Sequence, residues 1–284
     1  MRLSALTITP YQRRHLQVIR DLIFHSNMVH IHLDWYESDQ WLESDEAVVR
    51  LAWQSGRLVG ILGLSKPLNQ TSWIRMVGLL NYTEPQAVIK SLWNHITEDL
   101  RRELVQSVGI LIINDWIIPY VTSLGFKYDE TIITMERTNF ELPQPHRDGP
   151  IVRVGELFDL GQIVAVDQAA FAPPWQMANE DIRQAFRLAS SCTVAKQQDQ
   201  VVGFQLSTLY FDGAHLARLA VHPSVQGTGV GHALMMDLLE RFQRRGVYML
   251  TVNTQSSNHA SRNLYTRFGF APTGFDLPYW SAHI

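Results

Sequence analysis

The 284-residue sequence predicts two successive α/β units, each built on a sheet flanked by helices. Strand-like and helix-like segments follow one another in the same order in both halves. Two stretches also recur: RLVGILGLS at 57–65 parallels QVVGFQLST at 200–208, and VTSLGF at 121–126 parallels YTRFGF at 265–270. An internal repeat constrains a fold more than any single motif does. Between the halves, NFELPQPHRDGP at 139–150 holds three prolines and no periodicity, as linkers do. The expected domains are therefore 1–138 and 151–284, each long enough for a core of its own.

In the first half, Leu3 to Thr9 reads as a strand closed by Pro10. A helix is expected from Tyr11 to about Phe24, with Leu16, Ile19, Leu22 and Ile23 on one face. His25, His30 and His32 lie close together, but no cysteine or H-E-x-x-H pattern supports a metal site, so they read as loop or core residues. Trp35, Tyr36 and Trp41 anchor a short second helix or loop. Val48 to Gln54 and Leu58 to Leu64, joined at Ser55-Gly56, form a hairpin by pattern and turn chemistry. A strand at Trp73 to Leu79, a helix at Glu84 to Leu104, a strand at Val108 to Ile113, a short helix at Trp116 to Ser123 and a strand at Thr131 to Arg137 complete the half.

The second half opens with a strand at 151–154 and a helix at 158–171 broken by Pro173-Pro174, then a helix capped by Asn179. Thr193 to Lys196 and Val201 to Tyr210 form a hairpin turning at Gln198-Asp199. The strand His215 to Val221 ends at Pro223. A turn, QGTGVG at 226–231, then opens the amphipathic run Ala233 to Phe242. A strand at Met249 to Thr254, a helix at Ser257 to Phe268 and a terminal strand region follow.

Composition excludes several classes. A net charge of −3 with mixed signs offers no basic face for nucleic acid. Cys192, the one cysteine, excludes an internal disulfide, fits a reducing cytoplasm, and reads as a small core residue. No stretch approaches the ~20 apolar residues of a membrane span, and the N-terminal residues lack a signal-peptide core. A soluble cytoplasmic protein is expected.

The turn at 226–231 carries the chemistry. Glycines ahead of a helix leave backbone N–H groups pointing one way, with the positive end of the helix dipole behind them, which suits a phosphate. A P-loop would need Lys-Ser/Thr where His232-Ala233 stand, and a dinucleotide fold would place the motif early in the chain. The pattern L-x-V-x-P (Leu219, Val221, Pro223), Q-x-x-G-x-G (Gln226, Gly229, Gly231) and N-x-x-S-x-x-L-Y-x-x-x-G-F (Asn258, Ser261, Leu264, Tyr265, Gly269, Phe270) resembles the GNAT superfamily of N-acetyltransferases over about 150–280. The first half lacks these motifs: Leu80 to Gln86 holds no glycine, Thr83 and Gln86 suit a capping box, Glu84 would repel a pyrophosphate, and Val121 stands where the second half has Tyr265. Tandem copies with one intact are similar to the arrangement of mycothiol synthases.

The resemblance implies two tandem GNAT-like domains, each a mostly antiparallel sheet splayed between its fourth and fifth strands. It implies acetyl-CoA as co-substrate and no metal. Backbone groups of Leu219, Ala220 and Val221 would pair with the pantetheine arm, and an amide near Val221 would polarise the thioester carbonyl. Amides of Gly227, Thr228, Gly229, Val230, Gly231 and His232 would cradle the pyrophosphate beside Gln226, and Asn258 would contact the arm or cap its helix. Tyr265 would protonate the leaving thiolate, or else is a packed aromatic. His215 stands about where some relatives carry a glutamate base, and is either that base or a solvent-facing histidine, with Asp212 as fallback. Trp175, Tyr210 and Phe211, with Tyr279-Trp280, would shape the acceptor site. The expected activity is acetyl transfer to a primary amine of a small molecule or peptide by direct attack, in a monomer or homodimer. A protein N-terminal or lysine acetyltransferase and a non-catalytic acyl-CoA sensor are the alternatives.

Overall fold

The computed structural model describes residues 5–81, 84–139, 141–143 and 149–284. Backbone contacts divide the chain into two compact units, Met1–Asp129 with Pro278–Ile284 and Glu130–Leu277.

Unit 1 begins with β1 (Thr7–Pro10), a 3-10 turn and α1 (Leu16–His25), whose Ile19 and Leu22 are buried. Then come β2 (Met28–Ile31), α2 (Ser38–Leu42), the hairpin β3 (Ala47–Gln54) and β4 (Arg57–Ser65), and β5 (Thr71–Leu79). The hairpin turns through Ser55 and Gly56 at φ 51° and 77°, the left-handed pair that matches strand twist. Helix α3 (Pro85–Arg102) starts on a proline, which suits a first turn that needs no donor there, and buries Val88, Ile89, Leu92 and Ile96. Next are β6 (Ser107–Leu111), α4 (Ile118–Ser123) and β7 (Lys127–Arg137).

The second half follows as β8 (Ile151–Val154), α5 (Leu160–Ala170), α6 (Asn179–Leu188), β9 (Ser191–Gln197), β10 (Gln200–Leu209), β11 (Ala214–Val221), α7 (Val230–Arg244), β12 (Leu250–Gln255), α8 (His259–Arg267), β13 (Ala271–Pro272) and β14 (Leu277–His283). The sheet of unit 1 runs β1-β3-β4-β5-β6-β14, and that of unit 2 runs β7-β12-β11-β10-β9-β8. Both are mixed and mostly antiparallel, with helices on their faces. In unit 1 one core cluster lies under α3 and another under α1 and α2. In unit 2 the largest lies between β11, β12 and the helices α7 and α8.

Several expectations change. The divisions fall at 129/130 and 277/278, not at 138 and 151, because strand pairing overrides the proline-rich stretch. Ile132–Arg137 of β7 pair with β12, whereas Tyr279–His283 of β14 pair with β6. Each unit thus takes a strand from the other half of the sequence. Residues 140 and 144–148 of the expected linker, the start of the first strand, and Thr83 of the capping box lie outside the described residues. Asn179 is the first residue of α6 and the cap position belongs to Ala178, with no side-chain cap bond.

The parallel strands β5 and β6 share three register pairs, Thr71–Trp73 with Ser107–Gly109, and then part. The strand β2 fills the space between them. It pairs antiparallel with Met76–Leu79, the amide of His32 donates to the Arg75 carbonyl (2.9 Å), and Trp116 Nε1 reaches the Val29 carbonyl (3.4 Å). This short stretch carries His30, which is 0 % exposed with neither ring nitrogen hydrogen-bonded among the described residues.

Burial lowers the pKa of His30 from its ordinary 6.5 to about 3. Between these values the unfolded chain binds the proton and the folded chain does not. Stability is therefore lost as pH falls below 6.5, by about 1.4 kcal/mol per unit, and unaffected above it. His30→Leu should remove that dependence: relative to wild type, its urea unfolding free energy should gain about 2 kcal/mol between pH 7.5 and 5.0. An equal pH dependence in both proteins would refute the assignment.

Candidate active site

The site of unit 2 begins where two strands separate. Strand β11 pairs with β10 from Ala214 to Val221, with Ala217 as the extra residue of a bulge, since Leu206 faces Arg218 and Ser207 faces Leu216. Its parallel pairing with β12 covers only Ala214–Leu216 against Leu250–Val252. From Arg218 to Val221, β11 has a strand partner on one edge alone among the described residues. Leu219 and Val221 therefore turn their backbone donors and acceptors into the gap, while Ala220 between them faces β10. The Val221 carbonyl accepts from the Gln226 side-chain amide at 3.1 Å.

At the open end of β11 the chain makes a 3-10 turn, Pro223–Val225, and then the glycine turn. Gly227 and Gly229 take φ of 79° and 91°, backbone that a side chain would strain. Thr228 Oγ1 is held by the Val225 carbonyl at 2.8 Å. The amide of Ala233 makes the first intrahelical bond, to the Gly229 carbonyl at 2.9 Å, so the amides preceding it in Val230, Gly231 and His232 emerge from the end of α7. A Cβ on Gly231 would sit 3.2 Å from Leu264 and 3.7 Å from Val221, so glycine there lets α7 pack close to both β11 and α8. The result is a row of donors beside an unpaired strand edge, the arrangement a phosphate and an extended arm require.

Helix α8 carries Tyr265 into the core packed against β11 and β12. Asn258 Oδ1 caps the helix through the Ser261 amide at 3.0 Å. At the other end, buried Arg137 donates to the carbonyls of Phe268 (2.7 Å), Asn139 (2.6 Å) and Glu141, placing a cation at the helix C-terminus. Tyr265 is buried 5.8 Å from the ring of Phe270. Burial raises its pKa above the ordinary 10, while a Ser261 hydrogen bond and the Arg218 charge act in the opposite sense. The phenol therefore keeps its proton throughout the neutral range. The His232 ring lies 4.9 Å from that of Phe268, tilted at 53° to it.

On the opposite face of β11, His215 is half-buried with Nδ1 2.8 Å from Thr251 Oγ1, at the middle one of the three register pairs. Tyr210 and Phe211 form the tip of the β10–β11 turn, closed by the Tyr210 amide on the Gly213 carbonyl (2.8 Å). Phe211 is 108 % exposed and Asp212 is also exposed, so the tip stands in solvent. Trp175 is half-buried in the segment between α5 and α6. The structure thus puts the glycine turn at the open end of the β11 edge, His215 in the paired part of the same strand, and Tyr265 in the core packed against β11 and β12, and leaves Phe211 in solvent. Tyr279 and Trp280 belong to the other unit. They lie on β14 in unit 1, where the Tyr279 ring is 5.1 Å from that of Trp73 and packs over Gly109.

Two residues that sequence reasoning passed over stand at the acceptor side. Asp167 is fully buried on α5 and pairs with Arg218, whose Nε lies 2.7 Å from Oδ1. An aspartate inside the apolar run IVAVDQAAF was the available signal. Cys192 is unsuited to carry an acyl group: burial pushes its thiol up to about 12, and its Sγ lies against Gly155. Among the described residues no cluster of three His, Cys, Asp or Glu could hold a metal, and no helix is long and apolar enough to cross a membrane.

Residues 160–270 match the model of the acetyltransferase (GNAT) family. The [ribosomal protein bS18]-alanine N-acetyltransferase of Escherichia coli K12 is 30 % identical over 115 residues, which cover 40 % of this chain and 76 % of that enzyme. The fold of the whole chain is shared with a tandem GNAT protein from the clavulanic acid biosynthesis pathway (TM-score 0.64, 14 % identity, 98 % of both chains). It is also shared with a probable N-acyltransferase from Enterococcus faecalis V583 (TM-score 0.73, 9 % identity, 98 % of this chain and 72 % of that one). With the strand gap, glycine turn and helix-borne tyrosine in place, these matches show that the chain belongs to the GNAT family of acetyltransferases.

Proposed function

We propose that the chain is an acetyl-CoA-dependent N-acetyltransferase whose one cofactor site lies in unit 2, acting on the primary amine of a small molecule or peptide. The observation that carries this reading is the three-pair limit of the β11–β12 contact, with the glycine turn at its open end. Acetyl-CoA, once bound, supplies an activated acyl group as a thioester. Leu219 to Val221 hold the extended arm by strand-like pairing, and the amides from Gly227 to His232 take the pyrophosphate. An amide near Val221 stabilises charge developing on the carbonyl oxygen. His215, steadied by Thr251, accepts the ammonium proton of the acceptor directly or through water. Tyr265 donates a proton to the departing sulfur. Direct attack of the amine needs no acyl-enzyme, which fits the inert Cys192. The named relatives act on a ribosomal-protein alanine, which favours a peptide α-amine as acceptor. The single cysteine fits the cytoplasm.

Unit 1 is proposed to bind no cofactor, because β2 already pairs with the edge of β5 where an arm would lie. Calorimetric titration of acetyl-CoA should therefore give one site, and Gly229→Glu should weaken it at least about 100-fold by forcing a side chain into left-handed backbone and a carboxylate among the amides. Two sites, or none, would refute the assignment.

Tyr265→Phe preserves packing and removes only the hydroxyl. It should lower kcat about 100-fold with little change in KM for acetyl-CoA. Because the pKa of Tyr265 is raised, wild-type kcat should show no loss attributable to this residue up to about pH 10. Unchanged kcat in the variant would remove Tyr265 from the acid role, and acetyl-CoA binding without turnover in wild type would point to a sensor.

A further inference from the structure

The segment from Phe171 to Met177 links α5 to α6 and carries Trp175. Short-range bonds in it include the Phe171 amide to the Asp167 carbonyl (3.1 Å), the Trp175 amide to the Ala172 carbonyl (2.9 Å), and Gln176 Nε2 to the Gln168 carbonyl (2.9 Å). An ion pair ties it to the sheet. Arg218 Nε donates to Asp167 Oδ1 at 2.7 Å, and Arg218 Nη2 lies 2.6 Å from the same oxygen. Nη2 also donates to the Trp175 carbonyl at 2.7 Å, and the guanidinium lies 3.5 Å from the centroid of Phe171. Asp167 Oδ2 accepts from the Met177 amide at 2.9 Å. The pair therefore grips the segment at its start, middle and end.

Arg218 sits where this matters. It directly follows the bulge residue Ala217, beyond the last register pair with β12, between His215 and the edge residues Leu219 to Val221. A buried carboxylate on an apolar helix is costly, and an apolar pair of similar volume would often serve stability as well. A planar fork that bonds a carboxylate and a carbonyl while stacking on a ring fixes geometry in a way an apolar pair cannot.

We propose that Asp167 and Arg218 are positioning residues that lock the Phe171–Met177 segment onto β11 and so set acceptor placement, independently of acetyl-CoA binding. The acceptor part of this inference rests on the transferase reading given above; the mechanical part does not.

Three variants test it: Arg218→Lys, which keeps charge but loses the fork; Arg218→Met; and the double variant Asp167→Leu/Arg218→Met, which removes the pair without leaving an unpaired buried charge. Each is followed by hydrogen exchange at the amides of Trp175, Gln176 and Met177, by acetyl-CoA calorimetry, and by kinetics with a hexapeptide bearing a free N-terminal alanine. We expect exchange in 175–177 to quicken at least about tenfold in Arg218→Lys and in the double variant, with acetyl-CoA affinity within about threefold of wild type. KM for the peptide should rise at least about tenfold, more than kcat falls. Unchanged exchange in a folded double variant overturns the proposal, as does a loss of acetyl-CoA affinity that parallels the loss in peptide KM. If wild type does not acetylate the peptide yet the segment loosens in the variants, the lock stands and the peptide reading of the acceptor falls.

Discussion

Two parallel strands that stop pairing after three residues set the terms for everything around them. Backbone donors and acceptors left on a strand edge need partners, and a protein either supplies them or leaves them for a ligand. In unit 2 no strand among the described residues covers that edge of β11 beyond Leu216. The bulge at Ala217 and the full-length pairing of β12 with β7 pull the strands to opposite sides of the gap. In unit 1 the same divergence of β5 and β6 is met by the chain itself, with β2 as the added strand. One topology thus yields an open strand edge in one copy and a covered one in the other, and the cover is four residues of backbone.

Around the gap, rigidity comes from groups with no chemical role of their own. Helix α8 is held by Asn258 at one end and by the Arg137 guanidinium at the other, so Tyr265 sits on a rod fixed at both ends. Gly231 matters for the lack of a side chain, since even a Cβ there would press on Leu264 at 3.2 Å. Buried arginines here satisfy carbonyls and a carboxylate in fixed directions, which suits precision better than raw stability.

Much of this was legible in the sequence, and the limits are instructive. The β3–β4 and β9–β10 hairpins, the glycine turn and α8 are local features written in turn residues and periodicity, and they stand within a few residues of expectation. What could not be read was long-range. MVHI at 28–31 is too short to announce a strand, and only the divergence of β5 and β6 gives it a place. Nothing local in 130–137 or 278–283 says which copy of a repeated sheet each will join. Tyr279 and Trp280 were for that reason assigned to the wrong unit. The Asp167–Arg218 pair was missed because a charged residue in an apolar run reads as a surface position until its partner, fifty-one residues away, is known.

The exchange of strands between halves also has a consequence in time. During synthesis the first unit would ordinarily complete itself before the second emerges. Here the sheet of unit 1 lacks β14 until residues 277–283 leave the ribosome, and until then the edge of β6, beside Gly109 and Trp73, stays uncovered. Unit 2, by contrast, receives β7 early and waits only for its own sequence. The strands of unit 2 are therefore all synthesised before the sheet of unit 1 can close, so a chain that ended short of β14 would carry every strand of the second sheet and an unfinished first one.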